Sequence, residues 1–348
     1  MAEIIINNRV IGSGHPVYII AEMSANHHQE FAQAVRILEA AKAAGADAVK
    51  LQTYTADTLT IDCEKEWFRI RGTIWAGKNL HQLYREAFTP WEWQPKLKER
   101  ADQLGIDLFS TPFDATAVDF LEQMAVPAHK VASFEVVDLP LLRKIGATGK
   151  PVIMSTGMAS LAEIDEAVRT LREAGSAGVA LLKCTSAYPA PPEAMNLRTI
   201  LHLAEAFGVP AGLSDHTLGI AAPVAAVALG AAIIEKHCTL ERAAGGPDSG
   251  FSLEPHEFAA MVAAVREAEK ALGKVSYELT EKERESRAFR RSLFAVQDIP
   301  AGSLFTAENL RSIRPAYGLA PKYLGNILGR RATRDIPRGT PISWELVG

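Results

Sequence analysis

Gly212-Leu213-Ser214-Asp215-His216-Thr217 and Glu235-Lys236-His237-Cys238-Thr239 place two histidines in the same local setting. The first follows the apolar run Val209-Pro210-Ala211-Gly212-Leu213 and the second follows Gly230-Ala231-Ala232-Ile233-Ile234, with an Ala-rich helical segment between them. That order reads as strand, helix, strand, so each histidine stands where a parallel strand gives way to a loop. In a sheet built of such units the C-terminal strand ends form the reactive edge. Two imidazoles on neighbouring strand ends can share one divalent metal and leave its other positions to water or substrate. Each histidine can equally hydrogen-bond a loop and do nothing more; the matched pair keeps the metal reading beside that one.

The same alternation fills the chain on both sides. Val17–Ala21 reads as a buried strand, and residues 31–44 carry apolar positions at helical spacing with Gly45 at the helix end. Further strands are expected at 46–52, 106–110, 128–132, 151–155, 179–183, 210–214 and 231–235, which makes eight, each followed by helical sequence. Eight βα units within roughly 275 residues match a TIM (β/α)8 barrel, typically about 250 residues long. Ahead of it, Glu3 to Ile11 reads as a hairpin turning on Asn7-Asn8. Between the second and third strands, residues 54–93 form a long insertion carrying Trp67, Trp75, Trp91 and Trp93, read as a functional lid rather than slack, its tryptophans as lid packing rather than sugar-stacking platforms. The charge-dense EKERESRAFRR at 281–291 reads as a solvated helix or linker, and two similar segments follow it, Asp298-Ile299-Pro300-Ala301-Gly302 and Asp335-Ile336-Pro337-Arg338-Gly339. The expected organisation is a cap hairpin at 1–16, a barrel at 17–278, a linker at 279–291 and a small β-rich domain at 292–348.

With 37 basic against 41 acidic residues the chain carries no charge excess that calls for nucleic acid or an anionic membrane. Cys63, Cys184 and Cys238 have neither Cys-x-x-Cys spacing nor an even count, so neither a disulfide framework nor a zinc knuckle is implied, and a reducing cytoplasm fits. The N-terminus lacks a signal-peptide pattern. Residues 217–234 are uncharged and nearly long enough to span a bilayer, but Gly219, Pro223 and Gly230 and the strand that ends the run argue against it.

The polar residues gather at the strand ends: Glu22, Lys50 and Gln52, Ser110 and Thr111, Lys130 and Ser133, Ser155 and Thr156, Lys183 and Thr185, then Ser214 and the histidines. A lysine pointing into a barrel mouth is unfavourable unless it meets an anion. Three lysines among a ring of hydroxyls describe a pocket for a phosphate-bearing molecule. Two other readings stand: Lys130 or Lys183 pairs with Glu22, Glu135 or Glu235 as a structural ion pair, and Lys50 is a Schiff-base lysine.

AEMSANHHQ at 21–29, AGADAVKLQTY at 44–54, FSTPFD at 109–114, KVASFEVVDLPLL at 130–142, MSTGM at 154–158, GLSDHTLG at 212–219, EKHCTL at 235–240 and GPDSGFSLEP at 246–255 occur in this order. Together they resemble the sialic acid synthase family, nearly end to end, with a C-terminal antifreeze-like (SAF) domain. The resemblance implies condensation of phosphoenolpyruvate with an N-acetylated aldose to give a nonulosonic acid and phosphate. It implies a divalent metal on His216 and His237, manganese first, with magnesium or cobalt as alternatives. Lys50, Lys130, Thr111, Ser133, Ser155 and Ser214 match the family's phosphoenolpyruvate contacts. Glu22 and Asp248 match its acid–base or water-orienting carboxylates, with Lys50 beside them, and Gln52, Glu135 and Tyr188 lie near the sugar. The resemblance also implies a domain-swapped homodimer in which Arg314 reaches the sugar of the partner subunit.

Within the family, Met23-Ser24-Ala25-Asn26-His27, the Trp-rich insertion, Ser133-Phe134-Glu135 and Gly246-Pro247-Asp248-Ser249 resemble the pseudaminate-forming branch. Its aldose is 2,4-diacetamido-2,4,6-trideoxy-L-altrose, whose C6 methyl suits a more apolar wall. N-acetylneuraminate or legionaminate synthesis is the enzymatic alternative, and a non-catalytic carbohydrate-binding protein on the same fold is the alternative of another class.

Overall fold

The computed structural model describes residues 3–348. Asn7 (φ +47°) and Asn8 (φ +65°) supply the left-handed turn that pairs β1 (Glu3–Ile6) antiparallel with β2 (Arg9–Gly12). The hairpin buries Ile4, Ile6 and Ile11 in one cluster with Tyr18, Ile20, Phe109, Ile153 and Leu182, and so closes one end of the barrel core. Gly178 admits it, since a Cβ there would lie 2.7 Å from Ile4 Cγ2.

Eight parallel strands form a closed barrel. They are β3 (Tyr18–Glu22), β4 (Ala48–Thr53), β5 (Asp107–Pro112), β6 (His129–Val131), β7 (Pro151–Ser155), β8 (Gly178–Cys184), β9 (Ala211–Asp215) and β10 (Ile233–His237), with β10 pairing back onto β3. The helices between them are α1 (Phe31–Ala43), α2 (Ala56–Leu59), α3 (Leu80–Ala87), α4 (Gln94–Leu104), α5 (Ala115–Gln123), α6 (Leu139–Gly146), α7 (Leu161–Ala174), α8 (Thr199–Phe207) and α9 (Ala221–Ala228), and α10 (Pro255–Leu272) follows β10. The uncharged stretch 217–234 is thus the short helix α9 followed by the start of β10, and among the described residues no helix is long and apolar enough to cross a membrane.

Strand pleating sorts the residues. Ile19, Val49, Leu51, Leu108, Val131, Met154, Leu181 and Ile234 pack outward into the helix-facing core, while Tyr18, Ile20, Ala48, Phe109, Ile153, Leu182 and Ile233 fill the barrel. Carried two residues on, the inner phase presents Glu22, Lys50, Thr111, Ser155, Cys184, Ser214, Glu235 and His237. Lys183 and Ser110 belong to the other phase, which corrects the reading of three mouth lysines. Lys183 Nζ bonds the Cys184 carbonyl at 2.8 Å, and Ser110 Oγ meets Thr53 Oγ1 at 2.6 Å behind the sheet.

Some strand limits also move. β10 runs through His237, two residues past its expected end, and β6 is only three residues long because Ser133–Glu135 turns into a 3-10 helix. In the insertion, Trp75 is the one tryptophan that lines the cavity at the barrel mouth. Trp91 Nε1 bonds the Tyr54 carbonyl at 3.1 Å, Trp93 packs edge-on to His27 and Phe31, and Trp67 is 83 % exposed.

Residues 274–348 form a second compact unit. It holds α11 (Glu281–Ser286), the antiparallel pair β11 (Ser292–Ala295) and β12 (Leu310–Ile313), α12 (Leu324–Ile327), and a core around Leu293, Ile299, Phe305 and Ile342. The two Asp-Ile-Pro-x-Gly segments are mutual partners. Ile299 and Ile336 exchange backbone bonds at 2.9 Å each, Asp335 accepts from the Ala301 N–H and Asp298 from the Arg338 N–H, both at 2.7 Å. Their sequence likeness is therefore a local two-fold that satisfies four backbone donors without long strands.

Candidate active site

A cavity of about 420 Å³ opens at the C-terminal ends of the barrel strands. At its base Lys50 Nζ lies 2.8 Å from Glu22 Oε2, 3.2 Å from Glu235 Oε1 and 3.4 Å from Thr111 Oγ1, with the lysine only 4 % exposed. Burial works against the Lys50 ammonium, but the two carboxylates overcome it and hold its pKa above the ordinary value. An amine held charged is a poor Schiff-base nucleophile, so the structure favours a binding role for Lys50 over the aldolase reading. Burial pushes Glu22 up against the pull of Lys50, whereas Lys130 and Lys50 outweigh burial at Glu235 and hold it down. The triad therefore shares its protons unevenly, with Glu235 the firmer carboxylate. In the sequence Glu235 opens the EKHCTL motif and figures only as a possible partner of Lys130 or Lys183; the structure pairs it with Lys50, and the signal for a site role was position, two residues before His237 on the same inner phase.

Lys130 is different. Its Nζ bonds Ser155 Oγ and the Val131 carbonyl, both at 2.7 Å, rather than a carboxylate. Burial lowers its pKa to about 8. A buried ammonium satisfied by neutral oxygens is a seat for an incoming anion, and Ser155, Ser133 and Ser214 line the cavity beside it. The sign of the pH effect follows: an ordinary lysine keeps its charge to about pH 10, while Lys130 loses it near 8, so anion capture weakens as pH rises. kcat/KM for an anionic substrate is expected to fall progressively above about pH 8, because that ratio reports the free enzyme. Lys130→Arg, whose guanidinium stays charged, moves the fall upward; a wild-type profile flat to about pH 10 removes Lys130 from anion binding.

His216 and His237 lie side by side, ring centroids 5.2 Å apart, backed by Phe251 and Tyr188. His216 Nδ1 is 3.1 Å from the Thr185 carbonyl, which fixes the ring and leaves Nε2 for another partner. His237 Nδ1 is buried with no hydrogen-bond partner, and burial, reinforced by the neighbouring His216, keeps its imidazole neutral. Cys184, which sequence reading passed over as a site residue, lies 3.9 Å from His216 Nδ1; burial raises its thiol, but His216, with Ser133 and Lys130, outweighs burial and draws it down to about 7. Among the described residues no three His, Cys, Asp or Glu side chains form a closed metal cage. Two imidazoles, one with an unsatisfied buried nitrogen, fit an open divalent site that keeps positions for substrate. On the outer phase, Lys236 and Asp215 form a fully buried pair at 2.5 Å that ties the two histidine-bearing strands together.

The outer cavity carries the remaining groups. Gln52 Nε2 donates to Glu22 Oε1 at 3.2 Å and to Ser24 Oγ at 3.0 Å, and Ser24 bonds Asp248. Burial raises the Asp248 carboxyl, partly countered by Ser24. Burial likewise raises Glu135, to about 7 despite Lys130, so this carboxyl exists as acid and base near neutrality. Tyr188 stacks on His216 at 4.4 Å and on Trp75 at 5.5 Å. Leu59, Ile70, Leu80, Leu83, Ala87 and Phe113 form an apolar wall. Arg314 is exposed in the second unit, directly after β12.

A closed (β/α)8 barrel with buried charge concentrated at its C-terminal mouth defines the class: a TIM-barrel enzyme whose substrate includes an anion. Residues 37–277 match the NeuB family and residues 290–347 match the SAF domain. The pseudaminic acid synthase of Campylobacter jejuni (strain 81-176) is 47% identical over 323 residues, covering 93% of this chain and 94% of the relative. The pseudaminic acid synthase of Helicobacter pylori is 43% identical over 95% of this chain and 97% of its own, whereas the N,N'-diacetyllegionaminic acid synthase of Legionella pneumophila is 36% identical over 96% and 95%. Among solved structures, the N-acetylneuraminic acid synthetase of Leptospira borgpetersenii superposes with a TM-score of 0.72 at 35% identity, over 82% of this chain and 94% of that one. The chain belongs to the NeuB family.

Proposed function

We propose that the protein condenses phosphoenolpyruvate with 2,4-diacetamido-2,4,6-trideoxy-L-altrose and water, giving pseudaminic acid and phosphate. The observation that carries the reading is the higher identity to pseudaminic acid synthases, 47% and 43%, than to the legionaminic acid synthase, 36%. The apolar wall, five of its six residues from the insertion, supports it, being suited to a methyl at C6.

C3 of phosphoenolpyruvate forms a bond to the aldehyde carbon, whose oxygen takes up a proton. Water adds at the resulting C2 cation and loses a proton; phosphate then leaves the tetrahedral adduct with the C2–O bond electrons while the C2 hydroxyl becomes the ketone and passes its proton to the phosphate. Lys130 with Ser155, Ser133 and Ser214 holds the anion, and Lys50 holds its far side while keeping Glu22 and Glu235 oriented. Glu22, raised by burial, is placed to accept a proton from the adding water. Glu135 and Asp248 face the sugar side. His216 and His237 would hold a divalent metal, manganese first, whose chemistry is Lewis-acid polarisation of the aldehyde oxygen.

Assay of the candidate aldoses tests the assignment. The diacetamido altrose is expected to exceed N-acetylmannosamine by at least about a hundredfold in kcat/KM. An unpaired C6 hydroxyl against the apolar wall costs about 1–3 kcal/mol, and the C4 substituent adds to it. Equal rates refute the pseudaminate assignment and spare the family; absence of phosphate release from phosphoenolpyruvate with every aldose tried favours a binding protein.

We also infer a homodimer in which Arg314 serves the partner's sugar, supported by the family resemblance. A mixture of inactive Arg314→Ala and inactive His216→Ala chains is expected to regain up to about half of wild-type activity per heterodimer, by counting sites in a two-fold assembly. Heterodimers that stay inactive overturn the swap. A cytoplasmic setting is supported by three free cysteines, two of them buried, and cell fractionation checks it.

A further inference from the structure

Ser24 follows β3 with φ +46°, in the left-handed region where glycine is the residue of least strain. It is 2 % exposed, lines the cavity, and its hydroxyl bonds two neighbours. The single O–H is given to Asp248 Oδ2, an acceptor, so the Ser24 oxygen can only accept from its other neighbour, Gln52 Nε2 at 3.0 Å. The second Gln52 N–H goes to Glu22 Oε1 at 3.2 Å. Both amide hydrogens are thereby used, and the Gln52 carbonyl oxygen remains as the group offered to the cavity. The flipped amide would set that carbonyl against the Glu22 carboxylate and waste the Ser24 lone pair, so the network assigns one orientation.

We propose that Ser24 is a positioning residue that sets the polarity of the Gln52 side chain, so that Gln52 presents a carbonyl acceptor which reads an acetamido N–H of the sugar. A strained backbone held by a side chain that completes such a chain is the pattern expected where conformation serves a site. The inference rests on the proposed aldose condensation, and the experiment separates the two.

Ser24→Gly and Ser24→Ala each remove the hydroxyl, and the glycine variant also relieves the backbone. The expected result is a fall of about tenfold in kcat/KM for the aldose, the size of one net hydrogen bond, appearing mainly as a higher KM. The KM for phosphoenolpyruvate is unchanged, and Ser24→Gly melts at or above Ser24→Ala, since both lose the bond to Asp248 but only alanine keeps the left-handed strain. Wild-type aldose kinetics in both variants overturn the proposal. So does a parallel loss for both substrates together with a lower midpoint, the signature of a merely structural serine. If wild type turns over N-acetylmannosamine but not the diacetamido aldose, the substrate assignment fails, while the variant-to-wild-type ratio measured with that sugar still decides the role of Ser24.

Discussion

Alanine at either His216 or His237 is expected to abolish turnover and to release divalent metal on dialysis, while the barrel stays folded. The two rings stand on adjacent strands with centroids 5.2 Å apart, and His237 Nδ1 is buried without a partner. A buried nitrogen with nothing to bond is unfavourable unless something else satisfies it. Loss of an orienting outer contact at a metal typically weakens affinity 10–100-fold, so loss of one of two protein ligands is expected to exceed about a hundredfold by the same scale. Metal content after dialysis and the melting midpoint are the readouts. A metal-stripped His216→Ala/His237→Ala protein that works at the wild-type rate ends the proposal.

Lys50→Met is expected to destabilise the fold by about 3–5 kcal/mol, the usual consequence of removing one partner from a buried ion pair. The reason is local: Glu22 is 0 % and Glu235 4 % exposed, and Lys50 is the cation between them, at 2.8 and 3.2 Å. Methionine fills the space of the lysine stem but leaves two carboxylates facing each other in a low-dielectric site. The triple variant Lys50→Met/Glu22→Gln/Glu235→Gln, with no uncompensated charge, is expected to recover most of the stability and none of the activity. Denaturant unfolding of both proteins checks the point. A Lys50→Met protein as stable as wild type shows that solvent or another cation reaches the carboxylates.

Reading the chain residue by residue determined a good deal. Alternating apolar runs and helical spacing define eight βα units, Asn7-Asn8 closes the hairpin, and ordered motifs from residue 21 to residue 255 carry the family. Periodicity and turn chemistry are local properties, legible without coordinates. What lay beyond it was partnership across the barrel. Ser110, Lys183, Asp215 and Lys236 sit at strand ends beside true cavity residues, and only the pleat of the closed sheet turns them outward. Lys50 and Lys130 read alike as strand-end lysines, yet only Lys50 is flanked by two carboxylates, because closure brings β10 against β3 and sets Glu235 beside Glu22 and Lys50. Likewise the bond from Ser24 to Asp248 joins residues from opposite ends of the barrel sequence. Residue type and local spacing are written in the chain, whereas the charge state of a lysine and the orientation of an amide depend on which distant groups burial brings within hydrogen-bonding reach, and that only the tertiary structure decided.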